Sequence, residues 1–556
     1  MKKLISLLLV TVMLFAVMAP MASAAEERLP IIYIRGNGDG LYYPDGTLCV
    51  AQLEDLFADD GKDEGEGDGI TKDKIVETVV NILKPFVLEG MIFDKWDNYG
   101  KAVYEELKPL FPDSALDYNG NAQNGTGVHP ETMANSIAAS KSAHNYNVNG
   151  QYAFAYDWRL SPYDHVDRLH EYILQVLSVT GKKQVSMYAR CMGGSILSAY
   201  LERYGELKLV KNVIFCDVLS NEATIISKAF SGQIEFDAKM VERYAGQLDF
   251  CGKYDEGVGF AFSDVLNEIV TKTIDFFNQI SVTDKALDEV EVLYEKLYKA
   301  LVPALCHATG MATQVNYWTE VAEADMDAAL NLLYGEEGSE LRTKYAGLID
   351  KILYYREHVS SDLDGFYKKL DEYGVHYGFV AKYGFLNAPF TKDADLLSDA
   401  LASLKHVAYG ATTAPVGKTL SEDYLSKVPA DKLKYISPDK QVDLSTCIQP
   451  DRTWILKNAH HDEIDSLEPI IWEFLNGTNE TVDTVTSGSQ FMVFNYETLK
   501  ASTMTADNCA DYEFIERPEE EPTTETRVVS FMRFFTMIIE FFTRLFSGNF
   551  DFSDLF

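Results

Sequence analysis

Residues 184–217 constrain the fold more than any other part of the chain, because they predict a strand, a helix and a second strand in immediate succession. The segments "QVSMYAR" (184–190) and "LVKNVIFCD" (209–217) are apolar runs with strand character. The segment between them, "MGGSILSAYLERYG", has helical character and stops at Gly205. Two strands separated by one helix at this spacing are typical of a parallel sheet, so the sequence predicts an α/β fold.

The same strand pattern recurs on both sides of a helical region. Further runs that predict strands are "LPIIYIRG" (29–36), "YAFAYDWR" (152–159), "HYGFVAKYG" (376–384) and "RTWIL" (452–456). Apolar residues at helical spacing dominate residues 221–373. The sequence therefore predicts an α/β core built from residues 25–220 and 374–511, with residues 221–373 inserted as a helical cap.

The start of the chain has the pattern of an export signal. Lys2 and Lys3 precede an apolar run, and Ala22 and Ala24 form a small-residue cleavage site around a serine. Residues 1–24 are therefore predicted to be a signal peptide of the bacterial type. The mature protein is expected to be secreted or associated with the extracellular surface.

The end of the chain predicts a linker followed by a surface helix. Residues 512–527 include "RPEEEPTTETR", and this Pro, Thr and Glu content is typical of an extended acidic linker. Residues 528–556 are rich in Phe, Ile and Leu, but internal charges such as Arg533 and Glu540 argue against a membrane span. Two interpretations remain open: an amphipathic helix at a membrane surface, or a helix that docks on this chain or on a second copy.

Composition and cysteine spacing exclude some classes of partner. The chain carries 85 acidic and 49 basic side chains, a formal net charge of −36. Such a surface repels phosphate backbones, so no nucleic acid partner is expected. None of the seven cysteines forms a CxxC pair, so a zinc ribbon is not predicted. The sequence indicates no other metal site and no cofactor.

Cys191 lies at the junction between the predicted strand and helix. A nucleophile on such a sharp turn needs small residues two positions before and two positions after it, and Ala189 and Gly193 occupy those positions. The backbone N–H of Met192 is expected to face a developing oxyanion. The helix start and Arg190 are expected to lower the pKa of the thiol. The alternative is a buried, chemically inert cysteine.

The remaining parts of a nucleophilic site also have candidates. A second oxyanion donor is expected in the loop "IRGNGDG" after the first strand, and an acid and then a base should follow the nucleophile along the chain. The candidates are Gly36 and Asn37 for the oxyanion donor, Asp439 or Asp443 for the acid before "RTWIL", and His460 or His461 for the base after it.

These motifs together resemble a known superfamily. "YARCMGG" looks like the "AHSMGG" turn of lipases, and "YDWRLSP" (156–162) is similar to the "YDWR" segment of lecithin:cholesterol acyltransferase-like proteins. The chain therefore resembles the α/β-hydrolase superfamily over roughly residues 29–217 and 376–472. It departs from the lipase pattern at Cys191, which replaces serine, and at Arg190, which replaces histidine.

The resemblance implies a hydrolase fold in which the helical insertion is a lid. It maps the catalytic acid to Asp439 within "SPDKQVD", and it favours His461 over His460 within "NAHHD". A cysteine at this turn is similar to the nucleophile of dienelactone hydrolases, which use a Cys-His-Asp triad.

The resulting hypothesis is an exported enzyme that cleaves an ester or thioester of an apolar acyl group. Cys191 would attack the carbonyl carbon, His461 would move the proton and Asp439 would orient the imidazole. Two alternatives stay open. The enzyme could transfer the acyl chain of a lipid to an alcohol, or the chain could be a non-catalytic surface protein that binds lipid or a partner.

Truncation at Glu516 should separate surface attachment from catalysis. If residues 528–556 form an interfacial helix, the truncated chain should no longer sediment with liposomes but should still turn over a soluble ester. Cosedimentation and an ester assay on the same two preparations measure both properties. Liposome binding that is unchanged by the truncation would contradict the attachment role.

Overall fold

The computed structural model describes residues 28–36, 40–50, 81–82, 85–141, 151–219, 222–234, 238–251, 290–387, 396–461 and 463–515. The predicted signal peptide, the C-terminal helix and all but the first residues of the predicted linker lie outside these described residues. Within the described ranges, no helix has both the length and the apolar character needed to cross a bilayer.

The strands are short and fall mainly at the positions that the sequence predicts. In chain order they are β1 (Ile31–Ile34), β2 (Leu41–Tyr42), β3 (Leu48–Val50), β4 (Gln151–Phe154), β5 (Val185–Arg190), β6 (Val210–Cys216), β7 (His376–Tyr383), β8 (Thr412–Thr413), β9 (Val442–Asp443), β10 (Thr453–Lys457), β11 (Phe491–Asn495) and β12 (Lys500–Thr503). Each of the six predicted strand segments overlaps one of these strands. The segment 152–159 leaves the sheet after Phe154, and β2, β3, β8, β9, β11 and β12 were not predicted.

Eight of these strands form one sheet in the spatial order β12-β11-β10-β7-β6-β5-β1-β4. All neighbouring pairs are parallel except β11 with β12. The predicted α/β class is therefore confirmed. The carboxyl ends of the parallel strands lie along one edge of the sheet, which is where α/β proteins place their sites.

Helices connect and flank the strands. They are α1 (Trp96–Leu107), α2 (Pro130–Ser140), α3 (Val166–Thr180), α4 (Gly193–Tyr204), α5 (Thr224–Ser231), α6 (Ala238–Cys251), α7 (Val290–Thr309), α8 (Met326–Tyr334), α9 (Glu340–Lys344), α10 (Ala346–His358), α11 (Leu363–Tyr373), α12 (Leu404–Val407), α13 (Glu422–Lys427) and α14 (Glu468–Asn476). Helices α5 to α11 lie between β6 and β7, so the described part of the predicted insertion is helical.

The central strands are covered on their faces by these helices. In β5, all five residues before Arg190 are buried, as expected for a parallel strand inside a sheet. Ser186 Oγ donates a hydrogen bond to the carbonyl oxygen of Leu475 at 2.7 Å. The Tyr188 ring packs edge-on against Trp472, with ring centroids 5.7 Å apart. Because Leu475 and Trp472 belong to α14, this helix covers one face of β5.

A buried ion pair between Arg159 and Asp157 follows β4. The Arg159 guanidinium is fully buried and donates two hydrogen bonds, of 3.0 and 2.7 Å, to the Asp157 carboxylate. The same guanidinium donates to the carbonyl oxygens of Thr126, at 2.9 Å, and Ser114, at 3.3 Å. Its planar fork matches these acceptors, so Arg159 ties two earlier segments of the chain to the end of β4.

Replacing this arginine should destabilise the fold strongly. Arg159→Met would leave the Asp157 carboxylate buried without its cation, and we expect the free energy of unfolding to fall by about 3–5 kcal/mol. The control is Arg356→Met, which removes a partly exposed ion pair with Glu323 and should cost no more than about 1 kcal/mol. Urea titrations of the two variants measure both changes. Equal losses in the two variants would contradict the structural role of Arg159.

Candidate active site

Cys191 lies at a sharp turn between β5 and α4 in a left-handed backbone conformation, with φ of 49°. That conformation is uncommon for a residue with a side chain, and such residues concentrate at functional sites. The Cys191 N–H donates to the carbonyl oxygen of Cys216 at 3.3 Å. Its own carbonyl oxygen accepts from Gly194 at 3.0 Å and from Leu219 at 3.2 Å. These three bonds on the neighbouring strand end and the helix start hold the strained turn.

The two glycines after Cys191 let helix α4 begin very close to its neighbours. A Cβ atom on Gly193 would lie 2.4 Å from the carbonyl oxygen of Arg35, and one on Gly194 would lie 1.8 Å from Val218 Cγ1. Both distances are too short for any side chain. The glycines therefore place the helix start against the ends of β1 and β6, and the thiol at the carboxyl edge of the sheet.

His461 is the histidine that meets this cysteine. It follows β10, its ring is buried, and it shares a hydrogen bond with the Cys191 thiol. Its Nδ1 lies 2.8 Å from Asp399 Oδ2, which leaves Nε2 as the ring nitrogen for the sulfur. His460 instead packs near Phe385 and Tyr496, with ring centroids 6.3 and 6.0 Å away.

The carboxylate beside His461 belongs to Asp399, a residue that the sequence reasoning missed. Asp399 is fully buried in the loop that follows β7. Its Oδ1 accepts hydrogen bonds from the backbone N–H groups of Leu401, at 3.1 Å, and Ala402, at 2.7 Å. The carboxylate is therefore fixed by one oxygen to the backbone and by the other to the imidazole. The available signal was its position after a strand and between Cys191 and His461 in the chain.

The assignment of Asp439 as the acid was therefore wrong. Asp439 Oδ2 accepts from Lys457 Nζ at 2.9 Å and from the Tyr383 hydroxyl at 2.7 Å. Lys457 is fully buried in β10, and a buried ammonium needs an anion beside it. Asp439 meets that need and does not contact the imidazole.

The alternative acid, Asp443, also has structural partners elsewhere. Its Oδ1 accepts from the backbone N–H of Ser445 at 2.7 Å, and its Oδ2 accepts from the Tyr424 hydroxyl at 2.8 Å. Asp443 therefore caps a short helical turn and is not a partner of His461.

The charges of the three groups are coupled. Burial alone would lower the pKa of His461, but the Asp399 carboxylate and the Cys191 sulfur raise this pKa well above its ordinary value. Burial raises the pKa of the Cys191 thiol, although His461 and the Met192 N–H oppose this shift. The expected lowering of the thiol pKa is thus wrong, because removal of the sulfur from water outweighs the favourable charges.

Two of the three predicted oxyanion residues lie beside the sulfur. The backbone N–H of Met192 hydrogen-bonds to Cys191. Gly36 is so close that a Cβ atom there would lie 2.9 Å from the Cβ atom of Cys191 and 3.5 Å from its sulfur. Asn37 lies outside the described residues. Met192 and Gly36 can therefore bound the space in which a carbonyl oxygen would sit.

Two cationic side chains hydrogen-bond to the backbone of His461. Lys382 is fully buried and donates to the carbonyl oxygen of His461, while its Nζ lies 2.8 Å from Asp217 Oδ2. Arg190 Nη2 approaches the same carbonyl oxygen at 3.4 Å. Arg190, Asp217 and Lys382 follow or lie in the neighbouring strands β5, β6 and β7, so the sheet itself positions the imidazole.

No protein-family model matches the chain, and none of the curated proteins is significantly similar to it.

Replacing Asp399 should make the thiol less reactive. Asp399→Asn removes the charge that keeps His461 cationic, and the imidazolium in turn stabilises the thiolate. We expect alkylation of Cys191 by iodoacetamide at neutral pH to slow by roughly tenfold, and its rise with pH to shift towards alkaline pH. Labelling rates of Cys191 measured by mass spectrometry from pH 6 to 10 test this.

The control for that measurement is Asp439→Asn. This variant changes a carboxylate that neutralises Lys457 and does not touch His461. Its pH profile of labelling should match that of the unmodified chain, whatever stability it loses. A shifted profile in Asp439→Asn, together with an unchanged one in Asp399→Asn, would restore the original assignment.

Proposed function

We propose that the chain is an exported α/β-hydrolase that cleaves an ester or thioester through Cys191, His461 and Asp399. The observation that supports this most directly is the continuous contact from the sulfur to the imidazole and from the imidazole to a buried carboxylate. Nucleophile, acid and base follow strands β5, β7 and β10 in that order, which is the order of the α/β-hydrolase superfamily. The export is inferred from the predicted signal peptide.

The first half of the reaction forms an acyl-enzyme. At rest the pair holds a thiol and an imidazolium, so it must release one proton to give a thiolate beside the imidazolium. The Cys191 thiolate attacks the carbonyl carbon, a C–S bond forms, and the carbonyl electron pair moves onto oxygen. The backbone N–H of Met192 is the donor available to this oxyanion. When the C=O bond re-forms, the bond to the leaving group breaks and His461 donates its proton to the departing oxygen or sulfur.

The second half restores the thiolate. Water gives one proton to neutral His461 and attacks the carbonyl carbon of the Cys191 thioester. The C–S bond then breaks, and the products are a carboxylic acid and the thiolate beside the imidazolium. Asp399 keeps the Nδ1 proton of His461 directed away from the sulfur, so Nε2 serves the reaction in both halves.

The helical insertion is proposed to cap the site. Its segment Val315–Glu320 reaches the first turn of α4, where Asn316 Oδ1 lies 2.6 Å from Ser195 Oγ. Ser195 lies one helical turn beyond Cys191. A wall in this position would limit the entry of water and shape the space for the acyl group.

Loss of either reacting side chain should abolish turnover. Cys191→Ala and His461→Ala should lower the rate on short acyl esters and thioesters by at least about a thousandfold. Cys191→Ser should keep a small fraction of the activity. Release of the alcohol or thiol from each substrate measures the rate, and thermal unfolding checks that each variant is folded.

The matched control is His460→Ala, which removes the neighbouring imidazole without touching Cys191. It should keep most of the activity of the unmodified chain. Full activity in Cys191→Ala would contradict the proposed nucleophile, and an inactive, folded His460→Ala beside an active His461→Ala would move the base by one residue.

A further inference from the structure

Glu320 is a buried carboxyl group that the proposed mechanism does not use. Its side chain is 1% exposed, and its Oε1 has no hydrogen-bond partner among the described residues. The carboxyl group interacts electrostatically with both the Cys191 thiol and the His461 imidazole. Glu320 lies four residues after Asn316, in the same helical segment that contacts the start of α4. A buried polar atom without a partner is costly, so a group that hydrogen-bonds to it would be stabilised there.

The backbone around Glu320 is firmly held, so its position is not accidental. The Glu320 carbonyl oxygen accepts from the N–H of Ala223, at 2.9 Å, in the connection that follows β6. At the other end of the same segment, the N–H of Asn316 donates to the carbonyl oxygen of Arg159 at 3.4 Å. The segment is therefore attached to the sheet at both ends.

Asn316 presents a second unsatisfied polar atom near the nucleophile. It is fully buried, and its Nδ2 has no partner among the described residues, while its Oδ1 contacts Ser195 Oγ. The Ser195 hydroxyl has a single proton and also lies 2.7 Å from the Met192 carbonyl oxygen. If the amide is turned over, its Nδ2 bonds the hydroxyl and its Oδ1 becomes the free atom. In either orientation one polar atom of Asn316 is left for another group.

The charge state of Glu320 restricts what this group can be. Burial raises the pKa of Glu320 well above its ordinary value, although the positive charge of His461 opposes the shift. The carboxyl group is therefore neutral near pH 7, with one O–H donor and one C=O acceptor. A hydroxyl group, which also donates and accepts, complements both this acid and the free atom of Asn316. A plain hydrocarbon chain would leave both unsatisfied.

We propose that Glu320 and Asn316 form a polar subsite beside Cys191 that selects esters or thioesters carrying a hydroxyl group close to the scissile bond. This inference rests on the proposed function and narrows its substrate class, since an entirely apolar acyl substrate would not satisfy the subsite. The two side chains do not distinguish a hydroxyl on the acyl part from one on the alcohol part, so both are tested.

Matched pairs of substrates test the subsite on each side of the bond. For the acyl side, the pair is p-nitrophenyl 3-hydroxybutyrate and p-nitrophenyl butyrate. For the alcohol side, the pair is glycerol monobutyrate and propyl butyrate. We expect kcat/KM to be at least about tenfold higher for the hydroxylated member of one pair, because a site built for a hydrogen bond rejects the analogue that lacks it.

Three variants assign the preference to Glu320. Glu320→Leu should reduce the ratio of kcat/KM within that pair to about one and should raise the melting temperature, because an unsatisfied polar group is removed. Glu320→Gln keeps a neutral donor and acceptor, so it should retain most of the preference. Glu323→Gln, the control, alters an exposed carboxylate on the same part of the chain and should leave the ratio unchanged.

The outcomes separate the subsite from the proposed function. If the unmodified chain hydrolyses all four esters without preference, the subsite is overturned and the proposed hydrolase activity stands. A folded Glu320→Leu variant that keeps the full preference has the same consequence. Absence of turnover of every ester would overturn the hydrolase. In that case, binding of the same pairs to Cys191→Ala, measured by ligand-detected NMR, decides the subsite: tighter binding of a hydroxylated member supports it and equal binding overturns it.

Discussion

The site depends on how closely helix α4 begins against the ends of the neighbouring strands. With any side chain at Gly193, the helix would collide with the backbone at the end of β1, and with one at Gly194 it would collide with Val218. Close contact forces the chain through a left-handed conformation at Cys191, and the strain is held by hydrogen bonds to Cys216 and Leu219. The sulfur is thereby presented at the sheet edge, where the loops after β7 and β10 also end.

The buried lysines determine which aspartate is free to hydrogen-bond to His461. The sheet contains two fully buried lysines: Lys382 in β7 pairs with Asp217, and Lys457 in β10 pairs with both Asp439 and Asp511. Because an unpaired buried ammonium is very unfavourable, Asp217 and Asp439 are committed to these lysines. Asp399 has no lysine within hydrogen-bonding distance among the described residues. Its carboxylate is held by backbone N–H groups and is therefore available to the imidazole.

Burial also bears on the proposal that Cys191 is the nucleophile of an exported enzyme. Six of the seven cysteines have described side chains, and all six are free thiols. Cys191 is partly buried, and the other five are buried. Oxidation proceeds through the thiolate. Because burial raises the pKa of Cys191, the resting sulfur is mostly protonated and reacts slowly with oxidants. Reactivity then requires loss of a proton from the Cys191–His461 pair, which the neighbouring carboxylate of Asp399 influences through the imidazole.

The sequence by itself determined the strands that build the middle of the sheet, the turn at Cys191 and the position of two candidate bases, His460 and His461. These follow from local patterns, since apolar runs, small residues around a turn and strand-to-helix spacing are visible over a few residues. The strand β12 escaped prediction because it is an edge strand with mostly exposed residues and has no apolar run. The strand β11 begins with a run of four apolar residues that the prediction missed.

Only the tertiary structure decided which groups meet. Asp399, Asp439 and Asp443 all lie between Cys191 and His461 in the sequence, and nothing local distinguishes them. Which aspartate contacts His461 depends on the path of the loop after β7 and on which aspartates form ion pairs with the buried lysines. The approach of Glu320 to the thiol likewise depends on the packing of the inserted helices. Contacts between residues that are far apart in the chain come from the packed fold, and no sequence periodicity encodes them.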